Sequence, residues 1–315
     1  MFNRKFPIFK PWLSAVLLAV MAFFFFVGGT DGHTPRSLEQ LWNLGHIAFF
    51  ALFTCQLLYL RRFRQAGYLR QVPAALAAAL VLGLGIEWIQ AGIGRMVDAQ
   101  DIYKNVLGAL VGAAFLLPAR KQIRRRALAG FQGAALILAG VTAWPLLAAG
   151  VDEYRASRDF PLLAGFETRW ELSRWSGKAR HSIVHVPASQ GHGALGVDLD
   201  TTTYSGVALD YFPQDWSGYG YLSLEVFNPD DTPIRLTCRI HDQRHSESSQ
   251  HYHDRFNRRF TIAPGWHTIR IDLNQVAQAP RDRTMDLRRI RNLGIFATRL
   301  PHPRRIYLDE VQLLR

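Results

Sequence analysis

The feature that most restricts the fold of this chain is a set of apolar runs confined to its first 150 residues. Each run is roughly 16–20 residues long, close to the length an α-helix needs to cross about 30 Å of hydrocarbon. The runs occupy residues 12–29, 44–60, 72–90, 103–118 and 131–149. The first is too long for the apolar region of a signal peptide, and no small-residue cleavage site follows it. The sequence therefore predicts an α-helical transmembrane bundle of about five helices, in a domain of residues 1–150.

Basic residues are concentrated in alternate loops, which predicts the orientation of these helices. The basic residues are Arg4, Lys5 and Lys10, then Arg61, Arg62, Arg64 and Arg70, and then Arg120, Lys121, Arg124, Arg125 and Arg126. Loops rich in Lys and Arg stay in the cytoplasm, so the N-terminus is predicted to be cytoplasmic. Five crossings then place everything after Gly150 outside the cytoplasm. Much of the net charge of +12 is explained in this way, so nucleic acid is not an expected partner.

Several polar residues are predicted to lie at one depth, near the outer ends of the helices. They are His46, Glu87, Gln90, Arg95, Asp98, Asp101 and Asn105. Ionisable residues at such positions are costly and are often functional. Glu87, Asp101 and His46 are therefore candidate acid–base residues, with the other four as candidate binding residues. The alternative is structural: these groups satisfy one another and hold three helices together.

The run EWIQAGIGRMVDAQDIYKNVLGALVGAAF resembles the signature of the VanZ-like family, and His46 in NLGHIAFFAL matches a second landmark of that family. The resemblance covers roughly residues 10–120 and implies a bacterial cell-envelope membrane protein; the founding member is associated with low-level resistance to teicoplanin. One departure is that Trp42-Asn43 stand where the family often has Asp-Lys. Gly108 and Gly112 form a GxxxG pair, which predicts a close contact between helices.

The second half of the chain alternates apolar and polar residues with a period of two. Short strand-like segments such as YSGVALDYF, YLSLEVFN and IRLTCRIHD are separated by turn sequences, which predicts an all-β sandwich or jelly roll over residues 161–315. Residues 151–160 are predicted to be a linker. The two cysteines, Cys55 and Cys238, fall in different halves and predict buried thiols rather than a disulfide.

Segments of this half resemble carbohydrate-binding-module-like jelly rolls of the galactose-binding type. They include DWSGYGYLSLEVFNP, HYHDRFN, APGWHTIRIDL and a closing YLDEVQLL. The resemblance implies a polysaccharide ligand, and similar modules often hold a structural calcium near their terminal strands, for which Glu167 and Asp309 are the candidates. No other cofactor is expected.

The segment RIHDQRHSESSQHYHDRFNRRF gathers the candidate binding residues of the β-domain. They are His241, Asp242, His251, His253 and Asp254, together with Trp216 as an aromatic platform. Imidazole with carboxylate also suits zinc or copper, but no established ligand spacing is present. Sugar binding is the favoured interpretation, although aromatic residues of a sandwich are commonly core residues.

These features leave three functional hypotheses. The preferred one is a non-enzymatic envelope protein whose membrane half anchors a module that binds a glycan, a lipid or an anionic polymer, with a possible link to envelope polysaccharide handling or glycopeptide tolerance. The alternative is an intramembrane acid–base enzyme acting on a lipid-linked envelope precursor, with Arg95 binding an anionic headgroup. A transporter is the weakest, because the sequence shows no inverted repeats or broken helices.

Overall fold

The computed structural model describes residues 11–26, 34–92 and 99–315. It divides into two compact units, Met1–Leu147 and Ala148–Arg315. Arg95 and Asp98, both predicted to be site residues, lie outside the described residues.

The first unit is helical. Its helices are α1 (Pro11–Phe26), α2 (Arg36–Gln56), α3 (Arg61–Gln65), α4 (Tyr68–Gly92) and α5 (Ala99–Phe115), followed by α6 (Arg125–Asp159), which continues into the second unit. Three of the described helices are long and apolar enough to cross a membrane: Arg36–Tyr59, Tyr68–Gly92 and Arg125–Asp159. The described part of α1 has 16 residues. Helix α5 has 17, and its first two turns carry polar and charged side chains.

Helices α2 and α5 pack closely because two glycines of α5 face the backbone of α2. A Cβ on Gly108 would lie 2.5 Å from the carbonyl oxygen of Ile47, and a Cβ on Gly112 would lie 2.7 Å from that of Ala51. Only hydrogen fits in these gaps, since real Cβ contacts are never so short. The close contact predicted from the GxxxG pair is confirmed.

The predicted linker, 151–160, is helical as far as Asp159. Its sequence VDEYRASRD contains neither glycine nor proline, the two residues that most destabilise a helix, so the helix continues through it. The helix ends where Phe160 precedes Pro161, because the residue before a proline is disfavoured in the α-helical region.

The second unit is a sandwich of two antiparallel sheets. Its strands are β1 (Leu162–Ala164), β2 (Trp175–Gly177), β3 (Arg180–Val184), β4 (Ala194–Leu199), β5 (Ser205–Leu209), β6 (Tyr221–Asn228), β7 (Ile234–Asp242), β8 (Phe256–Ile262), β9 (Gly265–Asp272), β10 (Ile290–Ala297) and β11 (Arg304–Leu314). Two short helices, α7 (Gln243–Ser246) and α8 (Leu273–Ala277), lie between strands. Sheet A has the order β3-β4-β11-β6-β9, with β1 also paired to β11, and sheet B has the order β2-β5-β10-β7-β8.

The alternating sequence explains how the sheets pack. In β7, Leu236, Cys238 and Ile240 are buried, while the residues between them point away from the core. The buried side chains of both sheets form one hydrophobic cluster, as expected for a sandwich whose inner faces interdigitate. The fold class predicted for this half is confirmed.

Candidate functional sites

A cleft of about 450 Å³ lies on the outer face of sheet B. The register pairs Gly206 with Phe296, Ala208 with Gly294, and Gly294 with Arg239. Small residues at the centre of three adjacent strands therefore leave a depression, and longer side chains at both ends form its walls.

One wall of the cleft is aromatic. Tyr204 is 61% exposed, and its ring packs edge-on against Phe296 with 5.8 Å between centroids. Gly206 is required here, because a Cβ would lie 2.2 Å from the carbonyl oxygen of Ile295 and 2.5 Å from the Cβ of Phe296. An exposed aromatic ring beside polar groups is an arrangement suited to stacking a sugar ring, since such rings present an apolar face.

The other wall is cationic and includes Arg239. Its Nη2 donates a 2.8 Å hydrogen bond to Asn292 Oδ1, and Asn292 Nδ2 donates a 2.6 Å bond to Asp210. Its guanidinium lies over Gly294, about where a side chain would otherwise stand. Burial, and then the charge of Arg255, lower the pKa of Arg239. Arg255 and Lys178 also line the cleft.

Two of the predicted binding residues form a structural ion-pair network beside this cleft. The guanidinium of Arg283 donates to both carboxylate oxygens of Asp242, at 2.6 and 2.8 Å, and its Nε donates to Asp254. Asp242 is fully buried and also accepts the backbone N–H groups of His245 and Asp286. Burial alone would raise the pKa of Asp242, but these bonds outweigh it and lower the pKa. Both carboxylates therefore hold the fold together here.

Of the three predicted histidines, one is half-buried on a strand and two are exposed. His241 stands on the outer face of sheet B, with its ring 4.8 Å from that of His245. Burial, then the charges of Arg239 and His245, lower the pKa of His241 to about 3. His251 and His253 are exposed in the segment before β8.

The prediction of Trp216 as a binding platform is wrong. Its side chain is fully buried in the sandwich core, where it packs on Phe212 with 5.5 Å between ring centroids. Its indole N–H donates to the carbonyl oxygen of Pro213. An aromatic side chain of this size buries enough apolar surface for the core to outcompete a surface site.

The two carboxylates considered for calcium hold one loop. Glu167 Oε1 accepts the backbone N–H groups of His192 and Gly193, and Asp309 Oδ2 accepts those of Ser189 and Gln190. Across the described ranges, no group of three or more His, Cys, Asp or Glu side chains is arranged to hold a metal ion. Calcium binding at Glu167 and Asp309 stays a prediction.

A separate polar cluster lies in the helical unit. His46 Nδ1 is 2.8 Å from Asn105 Oδ1, and His46 Nε2 is 3.7 Å from Asp101 Oδ2. Lys104 donates a 2.7 Å hydrogen bond to Asp101 Oδ1 and is itself buried. The ring of Phe25 stacks on that of His46 at 4.3 Å. The structure therefore brings together His46, Asp101 and Asn105 of the predicted set. It adds Lys104, which was not predicted.

Glu87 and Gln90 are buried on α4, as their spacing on one helical face predicts. The side chain of Gln90 donates to the carbonyl oxygen of Phe25, at 2.9 Å. Gly83, one turn before Glu87, faces Asn105 so closely that a Cβ would lie 2.5 Å from its Nδ2. Helix α4 thus approaches the cluster closely at Asn105.

Sequence reasoning missed the cleft residues Tyr204, Phe296, Arg239 and Lys178. The alternation in RLTCRIH does carry a usable signal, because it places Arg239 and His241 on one face and Cys238 and Ile240 on the other. The partners of Arg239 across the sheet come from distant segments, so the cleft itself emerges only with the strand order.

No protein-family model matches the chain, and no curated protein matches it by sequence. Solved structures are similar to the β-sandwich half. An exo-β-agarase shares 18% identity at a TM-score of 0.40, over 48% of this chain and only 24% of that enzyme. The family 11 carbohydrate-binding module from Clostridium thermocellum, in complex with a β-1,3-1,4-mixed-linked tetrasaccharide, shares 17% identity at 0.38, over 49% and 94%. The C-terminal family 22 module of Clostridium thermocellum Xyn10B shares 13% at 0.34, over 48% and 91%.

Proposed function

We propose that this chain is a membrane-anchored, non-enzymatic protein of the bacterial cell envelope that binds polysaccharide through its β-sandwich. The observation that carries the proposal is the cleft on sheet B, where the exposed ring of Tyr204 borders a floor of small residues. Such a surface offers a flat apolar platform for a sugar ring and polar side chains within reach of its hydroxyls.

Membrane anchoring rests on the outward faces of the helices. Trp88 on α4 is 79% exposed, and Ile137 and Val141 on α6 are 69% and 66% exposed. Apolar faces of this extent are stable only against lipid or a protein partner. We infer a multi-pass protein of the cytoplasmic membrane, with the alternating basic loops on the cytoplasmic side and the β-sandwich outside.

The test is glycan binding by the full-length chain in nanodiscs, using an array of envelope, plant and algal polysaccharides. We expect selective retention of a subset, and loss of that retention in Tyr204→Ala. Tyr154→Ala is the matched control, since Tyr154 is 70% exposed but lies on α6 and not in the cleft. Lack of retention across the array, or equal loss in both variants, would contradict the proposal.

A second candidate function is supported by the cluster around His46. His46 and Lys104 are buried and Asp101 is partly buried, and ionisable groups at such places in a membrane domain are functional candidates. We infer that, if this unit is catalytic, Asp101 and His46 exchange the proton, with Glu87 as the other candidate acid. The substrate class would be a lipid-linked envelope precursor.

A deletion strain separates the two functions. Its envelope polymer composition is measured after complementation with wild type, Asp101→Asn, Glu87→Gln or Tyr204→Ala, each at matched membrane abundance. An effect confined to the first two variants supports intramembrane chemistry, and an effect confined to Tyr204→Ala supports glycan binding alone.

A further inference from the structure

The cleft on sheet B has an uneven charge distribution. Its described lining includes Lys178, Arg239 and Arg255 and contains no Asp or Glu. The nearest partner of Arg239 is the neutral amide of Asn292, which separates it from Asp210. The lining therefore carries three cationic side chains, and Asp210, whose charge acts on Arg239 from beyond Asn292, is a single carboxylate.

Each of the two arginines has an N–H donor that no described residue pairs with. The Nε atoms of Arg239 and Arg255 are both buried and have no hydrogen-bond partner among the described residues. Guanidinium groups form their strongest hydrogen bonds with carboxylate, sulfate or phosphate oxygens, often through two parallel N–H donors. Both arginines line the cleft, so an anion that enters it meets two guanidinium groups.

The charge of each arginine also opposes that of the other. The charge of Arg255 adds to burial in lowering the pKa of Arg239, and it acts in the same direction on His241. A metal cation is disfavoured in such surroundings, whereas an anion is attracted to them. The positions of the arginines thus favour an anionic ligand over a metal cation.

We infer that the cleft binds an acidic polysaccharide, whose negatively charged group sits between Arg239 and Arg255 while a neighbouring sugar ring stacks on Tyr204. This inference rests on the proposed glycan-binding function and narrows its ligand to one chemical class. The charged group is a carboxylate, a sulfate ester or a phosphate ester, which share oxygens able to accept from two guanidinium groups.

The experiment measures the affinity of the full-length chain in nanodiscs for paired polymers that differ only in charge. The pairs are polygalacturonate and its methyl ester, dextran sulfate and dextran, and phosphomannan and dephosphorylated mannan. We expect one acidic polymer to bind at least about tenfold more tightly than its neutral partner, in a salt-dependent manner. The pair that shows the difference identifies the acidic group.

Variants then assign the effect to the arginines. Arg239→Gln and Arg255→Gln are each expected to weaken binding of the acidic polymer about tenfold, and the double variant to bring it to the level of the neutral one. Arg270→Gln is the control, since it removes the same charge from an exposed position on sheet A. An unchanged unfolding midpoint in each variant excludes misfolding as the cause of a loss, and Arg239→Lys tests whether the charge alone suffices.

The outcomes separate this inference from the proposed function. Equal binding of acidic and neutral polymers, abolished by Tyr204→Ala, would overturn the inference and leave glycan binding intact. Equal weakening by Arg270→Gln would also overturn it, because nonspecific attraction would then suffice. Retention on phosphatidylglycerol vesicles with no polysaccharide bound in either experiment would overturn both proposals.

Discussion

Asp152, on the last part of α6, and Arg174, just before β2, form an ion pair almost completely removed from water. Arg174 Nη2 donates to Asp152 Oδ1 at 2.7 Å, and its Nε contacts both carboxylate oxygens at 3.0 and 3.1 Å. The side chains are 5% and 1% exposed. Arg174 also donates to the carbonyl oxygen of Leu163. The pair therefore ties the end of the helix to the first strand of the sandwich.

Removing one partner of this pair should strongly destabilise the second unit. We expect Asp152→Asn to lower the free energy of unfolding by about 3–5 kcal/mol, because it leaves a buried guanidinium without a counter-ion. The measurement is chemical unfolding of a fragment that begins at Ala148. Arg158→Gln is the control, since its pair with Asp159 is exposed and such pairs contribute about 0–1 kcal/mol. Equal effects of the two variants would refute the structural role assigned to Asp152.

The contact between α2 and α5 depends on Gly108. We expect Gly108→Leu to destabilise the helical unit by about 1–3 kcal/mol, because the added atoms must displace the α2 backbone. Thermal unfolding in detergent measures the effect. Gly85→Leu on α4 is the control, as nothing lies within 4 Å of the Cβ position there. Similar midpoints for both variants would show that the helices do not pack as described.

Stability of the second unit should fall as pH decreases below 6.5. Burial and neighbouring cations hold the pKa of His241 at about 3, compared with 6.5 for the ordinary group. Between pH 6.5 and about 3, His241 binds a proton in the unfolded chain but not in the folded chain. The resulting slope is at most about 1.4 kcal/mol per pH unit for this histidine. Burial also lowers the pKa of His245, so it contributes with the same sign.

His241→Asn should flatten this dependence between pH 6.5 and 4.5, a range chosen to avoid most carboxylate titration. His302→Asn, in an exposed loop, serves as the control and should leave the slope unchanged. A wild-type slope that His241→Asn does not reduce would rule out His241 as its source.

Glu310 should cost the second unit stability at neutral pH. Burial, followed by the charges of Asp309 and Glu167, raises its pKa. A carboxyl whose pKa is raised on folding stabilises the fold below pH 4.5 and loses that contribution as pH rises through the folded value. We therefore expect Glu310→Gln to raise the unfolding midpoint at pH 7 and to have less effect at pH 4. Glu247→Gln, at an exposed position, is the control; a lower midpoint for Glu310→Gln would contradict the expectation.

The sequence predicted the fold better than the site. Apolar runs of helical length and two-residue alternation are local patterns in the sequence, so they located the helices and the sandwich. The sequence did not reveal that Asp152 extends the ordered structure through the expected linker, because its partner Arg174 stands 22 residues away. Likewise, the sequence did not reveal that Asp242 and Asp254 share Arg283 as a partner, because Arg283 stands 41 and 29 residues away from them.

Polar residues are hard to assign from sequence because a buried ion pair and a binding site use the same side chains. Only the partners distinguish them. The aromatic residues show the same difficulty: Trp216 entered the core, and the exposed Tyr204 lies in a turn whose neighbour Phe296 comes from β10. Strand order decides which of these residues come into contact, and it is a long-range property of the whole domain.

The position of β11 has a consequence for how the second unit is made. This strand lies between β4 and β6 and also pairs with β1, yet it comes last of the strands in the chain. While the ribosome is still adding the residues before Arg304, β4 and β6 have no common neighbour and their edges stay open. Open strand edges are sites of mispairing between chains. A chain that stops before β11 should therefore associate with other chains more readily than the complete sandwich does.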